Sequence, residues 1–491
     1  MNRWMRQGGW LKLTEAMHAQ LVLLHSNDIH SRLENAARIA SIIADERRVM
    51  GAHRVLAVDI GDHMDRMRME TEGSEGKVNL ALLQEAGYEA ITLGNNEGLT
   101  YTSAALDELY SSPSPFAVVC ANMKLDSTGE RPEWMQPGIV LEKNGLTIGL
   151  VGATANFAPF YKLLGWTTTP PLEAIREQVN RLRSRCDVMV VMSHLGLPLD
   201  RQMAEEVPGI DLILGAHTHH LLEEPIVIGE TTICAAGKFG DYVGRVEIGL
   251  DQRSGRPIFN ACCLPTGAYA ERPEAASIIH THGMEAKLRL GQVLATLNHP
   301  LPARVDRESA LPNLLAAGLR RLAKAEIGIV NAGQVLGGLA IGDVSAGELH
   351  ALCPSPINPC RMMIAGIHLR EALEQSLLDD YVFKPIRGFG FRGEVLGMLA
   401  VDGLSITYDA SRPPMYRIVH MEVNGEPFRD EQVYAVGSID MFSFRAGYES
   451  LANAESYSFF LPEFIRDIIA GELLSESALA SCHGLRWQSL A

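Results

Sequence analysis

Short apolar runs punctuate the first half of the chain: Leu21-Val22-Leu23-Leu24, Val55-Leu56-Ala57-Val58, Ala90-Ile91-Thr92-Leu93, residues 188–192 and Ile210-Asp211-Leu212-Ile213-Leu214. Runs of this length, bounded by turn residues, read as strands buried on both faces. Between them the period changes. Residues 36–49 carry Ile39, Ile42 and Ile43 on one face and Arg38, Asp45, Glu46 and Arg47 elsewhere, and residues 78–86 and 172–185 show a similar stripe, which predicts helices. Strands and helices in alternation predict layered α/β packing. Further strands are expected at residues 116–120, 147–151, 232–235 and 243–250, as a second sheet, with the first domain ending near Thr266.

Residues 273–290 predict a connecting helix, opened by Pro273 and closed at Gly291, after which a second domain is expected. Within it, residues 313–324 and 368–378 are helical by period. Residues 405–408, 418–423 and 434–437 read as strands, with Asn424-Gly425 as a hairpin turn.

A chain of 491 residues exceeds the size at which one hydrophobic core stops growing, which agrees with two domains. Its formal charge of −16 argues against an electrostatic grip on nucleic acid, and an anionic substrate would need local positive charge. The eight cysteines form no C-x-x-C pair and read as reduced thiols of a cytoplasmic protein. Residues 1–20 carry Arg3, Arg6 and Lys12 without an apolar stretch of signal-peptide length, so they read as an N-terminal extension. No run approaches the ~18 apolar residues of a membrane helix, so no membrane partner is expected.

The chemistry lies just past the apolar runs. Asp28-Ile29-His30, Gly61-Asp62, Gly94-Asn95-Asn96-Glu97, Ser193-His194 and Gly215-Ala216-His217-Thr218-His219 each follow one of the predicted strands. Strands running in the same sense place such residues on one rim of a sheet, where ligands bind in α/β folds. Asp28, His30, Asp62, Asn95, His194, His217 and His219 make a mixed nitrogen and oxygen donor set, suited to Mn, Fe or Zn rather than Mg or Ca. Asp62 can present its two oxygens to two ions, as a dinuclear site needs. Asp28 and His30 alternate along an extended segment, so a turn or bulge must bring both inward. Glu97 reads equally as a helix cap or a site residue.

Those motifs, with Leu24-His25-Ser26-Asn27 ahead of Asp28 and Leu195-Gly196 after His194, resemble the calcineurin-like metallophosphoesterase signature, and within it the 5′-nucleotidase family. The second half is similar too: residues 337–343, 366–374, and Gly403-Leu404 with Thr407-Tyr408-Asp409 and Ser411-Arg412-Pro413-Pro414 resemble that family's substrate-binding domain. The resemblance implies a four-layer α/β/β/α sandwich over residues 21–266, a linker helix within 267–290 and a smaller α+β domain over 291–491. It also implies two divalent ions, one held by Asp28, His30, Asp62 and His219, the other by Asp62, Asn95, His194 and His217. Hydroxide between them would attack phosphorus in line, with a small phosphoester, a nucleotide above all, as substrate.

The departures carry information. The family has Gly-Asn-His-Glu and then Asp, a dyad that serves the leaving group; this chain has Asn96 for the His and Leu99 near the Asp. Asparagine donates a hydrogen bond but supplies no proton, and general-acid help is worth ~10²–10⁴ in rate. Asn96 and Asp62 are the catalytic candidates, and His63 is expected to point elsewhere. In the second domain Asn331-Ala332-Gly333-Gln334-Val335 stands where the family has Asn-Gly-Gly-x-Arg, Met398 follows Gly397 where the family has Phe, and residues 444–448 end in Tyr448. Asn331, Gly333, Met398, Phe442 and Tyr448 are the candidate substrate contacts, with Phe389, Phe391 and Phe444 as alternative aromatics. A phosphodiesterase or pyrophosphatase favouring good leaving groups, and a catalytically weak metal- and ligand-binding protein, are the rival readings.

Overall fold

In the computed structural model, residues 20–490 are described; the extension expected over residues 1–20 falls outside them, apart from Gln20. The chain divides into two compact units. One holds the residues up to Asp65 and Glu75–His282; the other holds Arg66–Ser74 and Gly283–Ala491. The helix Pro273–Leu290 spans the division.

The first unit is built on two sheets. Seven strands are ordered Pro257–Pro265, Tyr242–Leu250, Leu21–Ser26, Val55–Asp59, Ala90–Ile91, Ala117–Val119 and Met135–Gln136. Six more run Ile226–Ile228, Thr231–Ala235, Leu212–Gly215, Val188–His194, Leu146–Thr154 and Gly138–Lys143. The site-bearing strands are parallel to their site-bearing neighbours: Leu23 pairs with Leu56, Val58 with Ala90, and Met192 with Leu214. These runs lack alternation because both faces are covered. Leu21, Leu23, Leu56, Val58, Leu150, Val190 and Leu214 share one core cluster, contributed by both sheets. Val191 and Ile213 face a second cluster with Ile175, Val179 and Met203 of the helices Pro171–Leu182 and Leu197–Glu206.

This arrangement corrects one expectation. The five motif-bearing strands do not share a single rim: three belong to the first sheet and two to the second. Residues 117–119 and 243–250, expected in the second sheet, pair instead in the first. Local hydrophobicity reports that a strand is buried, not which neighbour buries it.

The second unit has its own core around Leu314, Ile329, Met362, Leu373, Val401 and Val436. Its five-stranded sheet runs Leu399–Asp402, Ile327–Asn331, Val433–Ile439, Pro359–Ala365 and Ser456–Phe459. The helix expected at 313–324 is Ala310–Leu322, and that expected at 368–378 is Gly366–Gln375. Asn424 (φ 50) and Gly425 (φ 88) form the left-handed turn expected after Ile418–Val423.

Candidate metal centre

Five of the seven donor residues sit where side-chain-bearing residues rarely do. Asp28 (φ 50), His30 (φ 47), Asp62 (φ 51), His217 (φ 69) and His219 (φ 59) all have left-handed backbone. Such positions cost of order 1–3 kcal/mol each and persist only where surrounding structure over-determines them. Here cross-loop hydrogen bonds do so: Asp28 N donates to Gly61 O at 3.0 Å, His30 N to Asp62 O at 2.8 Å, and Ser31 N to His63 O at 2.9 Å. Left-handed turns at both Asp28 and His30 are the device by which two alternating residues of one extended segment face the same way.

Two groups converge. Asp28, His30 and His219 form one, and Asp28, Asp62 and His194 the other, with donor atoms within 4.8 Å of one another in each. In the first, His30 Nε2 is 3.2 Å from His219 Nε2 and 3.9 Å from an oxygen of both Asp28 and Asp62. Asp28 also lies 3.5 Å from His219 Nε2. In the second, His194 Nε2 is 3.4 Å from Asp62 and 3.2 Å from Asn95 Oδ1, which is 2.7 Å from His217 Nδ1. His194 Nδ1 is 2.7 Å from the Ile60 carbonyl, to which it donates, so its Nε2 faces the carboxylates. Asp28 belongs to both groups, and Asp62 of the second lies 3.9 Å from His30 of the first.

The electrostatics fit a site for cations. Burial acts against the charges of Asp28 and Asp62, yet the neighbouring imidazoles hold both carboxyls below their ordinary range. Burial likewise opposes protonation of His194, but Asp62 and Asp28 outweigh it and lift the imidazole to about 10. Two groups of carboxylate and imidazole donors, each with its atoms within 4.8 Å of one another, and the Asn95 amide oxygen 2.7 Å from His217 make a mixed set that suits borderline divalent metals.

Residues around the donors fix the loops. Glu97 is buried and accepts backbone N–H groups from Asp62 at 2.9 Å, Met64 at 2.8 Å and Gly94 at 2.8 Å, so it both caps its helix and ties two donor loops together. Gly94 has no space for a side chain: a Cβ there would lie 2.0 Å from Asp62 Oδ1. Asn27 donates to Asp28 at 2.8 Å and to Gly237 O at 2.7 Å. Beneath His194, Ser193 Oγ donates to the buried Asp200 at 2.5 Å. Sequence reasoning quoted Asn27 within its motif without giving it a role, and passed over Asp200. His63 is 4% exposed and lies 3.1 Å from Asn79 Nδ2, away from the donor groups.

The two halves of the chain match two family models: calcineurin-like phosphoesterase over residues 21–221 and the 5′-nucleotidase C-terminal domain over residues 292–450. An uncharacterised metallophosphoesterase of Bacillus subtilis (strain 168), YunD, is 35% identical over 462 residues, covering 93% of this chain and 100% of that protein. The chain belongs to the calcineurin-like phosphoesterase family and has a 5′-nucleotidase C-terminal domain. The 5′-nucleotidase of Bos taurus is 23% identical to this phosphoesterase, with 85% of this chain and 82% of that one covered. Among solved structures, the fold is shared with a 5′-nucleotidase precursor from Thermus thermophilus (TM-score 0.58, 23% identity, 96% and 99% covered). It is also shared with the NAD nucleotidase of Haemophilus influenzae (TM-score 0.66, 14% identity, 96% and 99% covered).

In the phosphoesterase's second unit the five residues expected as substrate contacts lie in the interior. Asn331, Phe442 and Tyr448 are 0% exposed, and Met398 is buried. Asn331 Nδ2 donates to Leu396 O at 2.6 Å and Tyr448 OH to Gly397 O at 2.9 Å, while a Cβ on Gly333 would meet Val395 O at 2.0 Å. These five residues therefore serve the interior. Phe389 and Phe444 are 53% and 39% exposed, and their rings stack 6.2 Å apart at 24°.

All eight cysteines are free. Among the described residues, no helix is long and apolar enough to cross a membrane.

Proposed function

We propose that this protein is a dinuclear-metal phosphoester hydrolase acting on nucleotides. The observation that carries the reading is the convergence of Asp28, Asp62, His30, His194 and His219 from separate loops of two sheets. Asp28, His30, Asp62 and His219 would hold one ion, and Asp62, Asn95, His194 and His217 the other. When bound, a divalent pair supplies Lewis acidity, lowering the pKa of water and offsetting phosphoryl charge. That supplies the positive field a chain of charge −16 lacks.

The protein's own groups then orient and bind. Asn96, with its backbone N–H on Asp62 Oδ1 at 2.7 Å and its side chain beside His30, holds two donor residues in register. The exposed pair Phe389 and Phe444 offers a platform on which a nucleobase stacks, which supports a nucleotide over a simple phosphate.

One observation favours a narrower reading. Asn96 cannot release a proton, so esters with good leaving groups should react faster than alkyl esters. The test is to load the full chain with Mn, verify metal content by mass spectrometry, and assay an aryl phosphate, a nucleoside monophosphate, a cyclic nucleotide and a sugar-linked nucleoside diphosphate. Metal-dependent release of phosphate from the nucleoside monophosphate is the expected result. Two bound metals with turnover of none of the four would overturn hydrolysis in favour of a ligand-binding protein.

A further inference from the structure

Beside the donor groups, in the first unit, one aromatic ring carries two cations. Phe239 is held at left-handed φ 62 in the loop that follows the strand Thr231–Ala235, and its N–H donates to Asp28 O at 2.7 Å. Its ring stands edge-on to His30, with centroids 5.9 Å apart at 71°. The Arg32 guanidinium carbon lies 4.8 Å from the Phe239 centroid and Lys238 Nζ lies 4.5 Å from it. Both side chains are exposed.

Several other basic side chains of this unit pair with carboxylates. Arg38 pairs with Glu271, Arg47 with Glu89, Arg183 with Asp211, Arg245 with Glu46 and Arg272 with Glu85. Neither Arg32 nor Lys238 pairs with a carboxylate among the described residues. A ring face orients a cation without neutralising it, so hydrogen-bond donors and full charge stay available to an anion. Within an acidic chain, two uncompensated cations on a ring anchored to Asp28 and touching His30 mark a place for negative charge next to the centre.

We propose that Arg32 and Lys238, held over Phe239, form an anion subsite for a second phosphate group on substrates whose first phosphate is attacked at the Asp28–Asp62 centre. The inference rests on the hydrolase reading above and names its substrate class: phosphoanhydrides such as nucleoside diphosphates, ahead of monophosphates. The missing proton donor at Asn96 points the same way independently. In hydrolysis of an anhydride, water oxygen forms the new bond to phosphorus and the bridging P–O bond breaks. The electron pair leaves on the bridging oxygen as a phosphate anion, the water proton passes to solvent, and nothing is oxidised or reduced. Such a leaving group needs no general acid.

The experiment compares the Mn-loaded full chain with its Arg32→Gln/Lys238→Gln and Phe239→Leu variants, using a nucleoside diphosphate, the matching monophosphate and an aryl phosphate. The double variant should lose at least tenfold more kcat/KM on the diphosphate than on the monophosphate, mainly through KM, and Arg32→Lys should recover most of the loss. Equal losses on the two nucleotides, or none, overturn the subsite. Equilibrium binding separates its failure from that of the hydrolase reading. If no substrate turns over, hydrolysis fails; the subsite still requires that inorganic pyrophosphate bind wild type more tightly than orthophosphate and that the double variant lose the difference. A difference unchanged in the double variant overturns it. Because both side chains are exposed, unchanged melting temperatures will certify that the variants fold.

Discussion

The side-chain amide of Asn96 lies 2.9 Å from Nδ1 of His30 and donates to the Met64 carbonyl at 3.0 Å. A residue placed by sequence opposite a leaving group is thus engaged in holding a metal-ligand candidate. Partners behind a ligating imidazole typically govern metal affinity by ~10–100-fold, so Asn96→Ala should weaken Mn binding by about that factor, measured by calorimetric titration. Asn96→His tests the other half of the argument. It should accelerate alkyl phosphates more than aryl phosphates, and equal gains would refute the loss of acid catalysis as the explanation.

Gly94 gives a sterically direct prediction. Its φ of −91 is available to any residue, so only space is at stake, and Asp62 Oδ1 and N lie 2.0 and 2.3 Å from where a Cβ would stand. Gly94→Ala should displace Asp62 and lower metal stoichiometry by mass spectrometry. It should also lower stability by about 1–3 kcal/mol, as overpacking does. A variant with full metal content would show that the loop yields easily.

Asp200 predicts a pH dependence of stability. Burial lifts its carboxyl to about 7, against the opposing hydrogen bond from Ser193. Between its unfolded value near 3.8 and about 7 the folded state binds the extra proton, so this contribution is complete below the lower value and is lost as pH rises through the upper. Each tenfold difference in proton affinity between the folded and unfolded chain is worth ~1.4 kcal/mol. Asp200→Asn should flatten the denaturant-unfolding free energy between pH 4 and 7 relative to wild type. An unchanged slope would mean that Asp200 is ionised in the fold.

Metal binding should appear in thermal stability without any assay of turnover. Asp28 and Asp62 sit together among imidazoles, so ions binding the folded state raise the melting temperature with concentration. Chelator should reverse the rise, and Asp62→Asn should abolish most of it. No shift with Mn, Zn or Fe would contradict the proposed centre.

Phe389 and Phe444 test the nucleotide half of the reading. Base stacking on an aromatic is worth ~1–3 kcal/mol, so Phe389→Ala should raise KM for a nucleoside monophosphate by about 5–150-fold. The KM for an aryl phosphate should rise less. Equal increases would assign the pair a different role.

How much of this could be read from the chain alone varies with the range of the interaction. Apolar runs and their polar successors marked the site-bearing strands and the donor candidates, because a buried strand and the turn that ends it are local in sequence. Asn424-Gly425 was legible for the same reason. The sharing of the five loops between two sheets was not, since Val191 and Leu56 look alike until a neighbour covers them. Exposure was equally hidden: Phe442 and Phe444 are two residues apart, yet one is 0% and the other 39% exposed.

The sequence by itself determined which chemical groups are available and in what order they follow the strands. Only the tertiary structure decided that Glu97 ties three backbone N–H groups together, that Asn96 turns toward His30, and that Arg32 and Lys238 meet over Phe239. The physical reason is that side-chain composition and periodicity are properties of neighbours along the chain. Left-handed turns, buried acceptors and cation-bearing rings are set by contacts between segments far apart along it, and no local pattern records them.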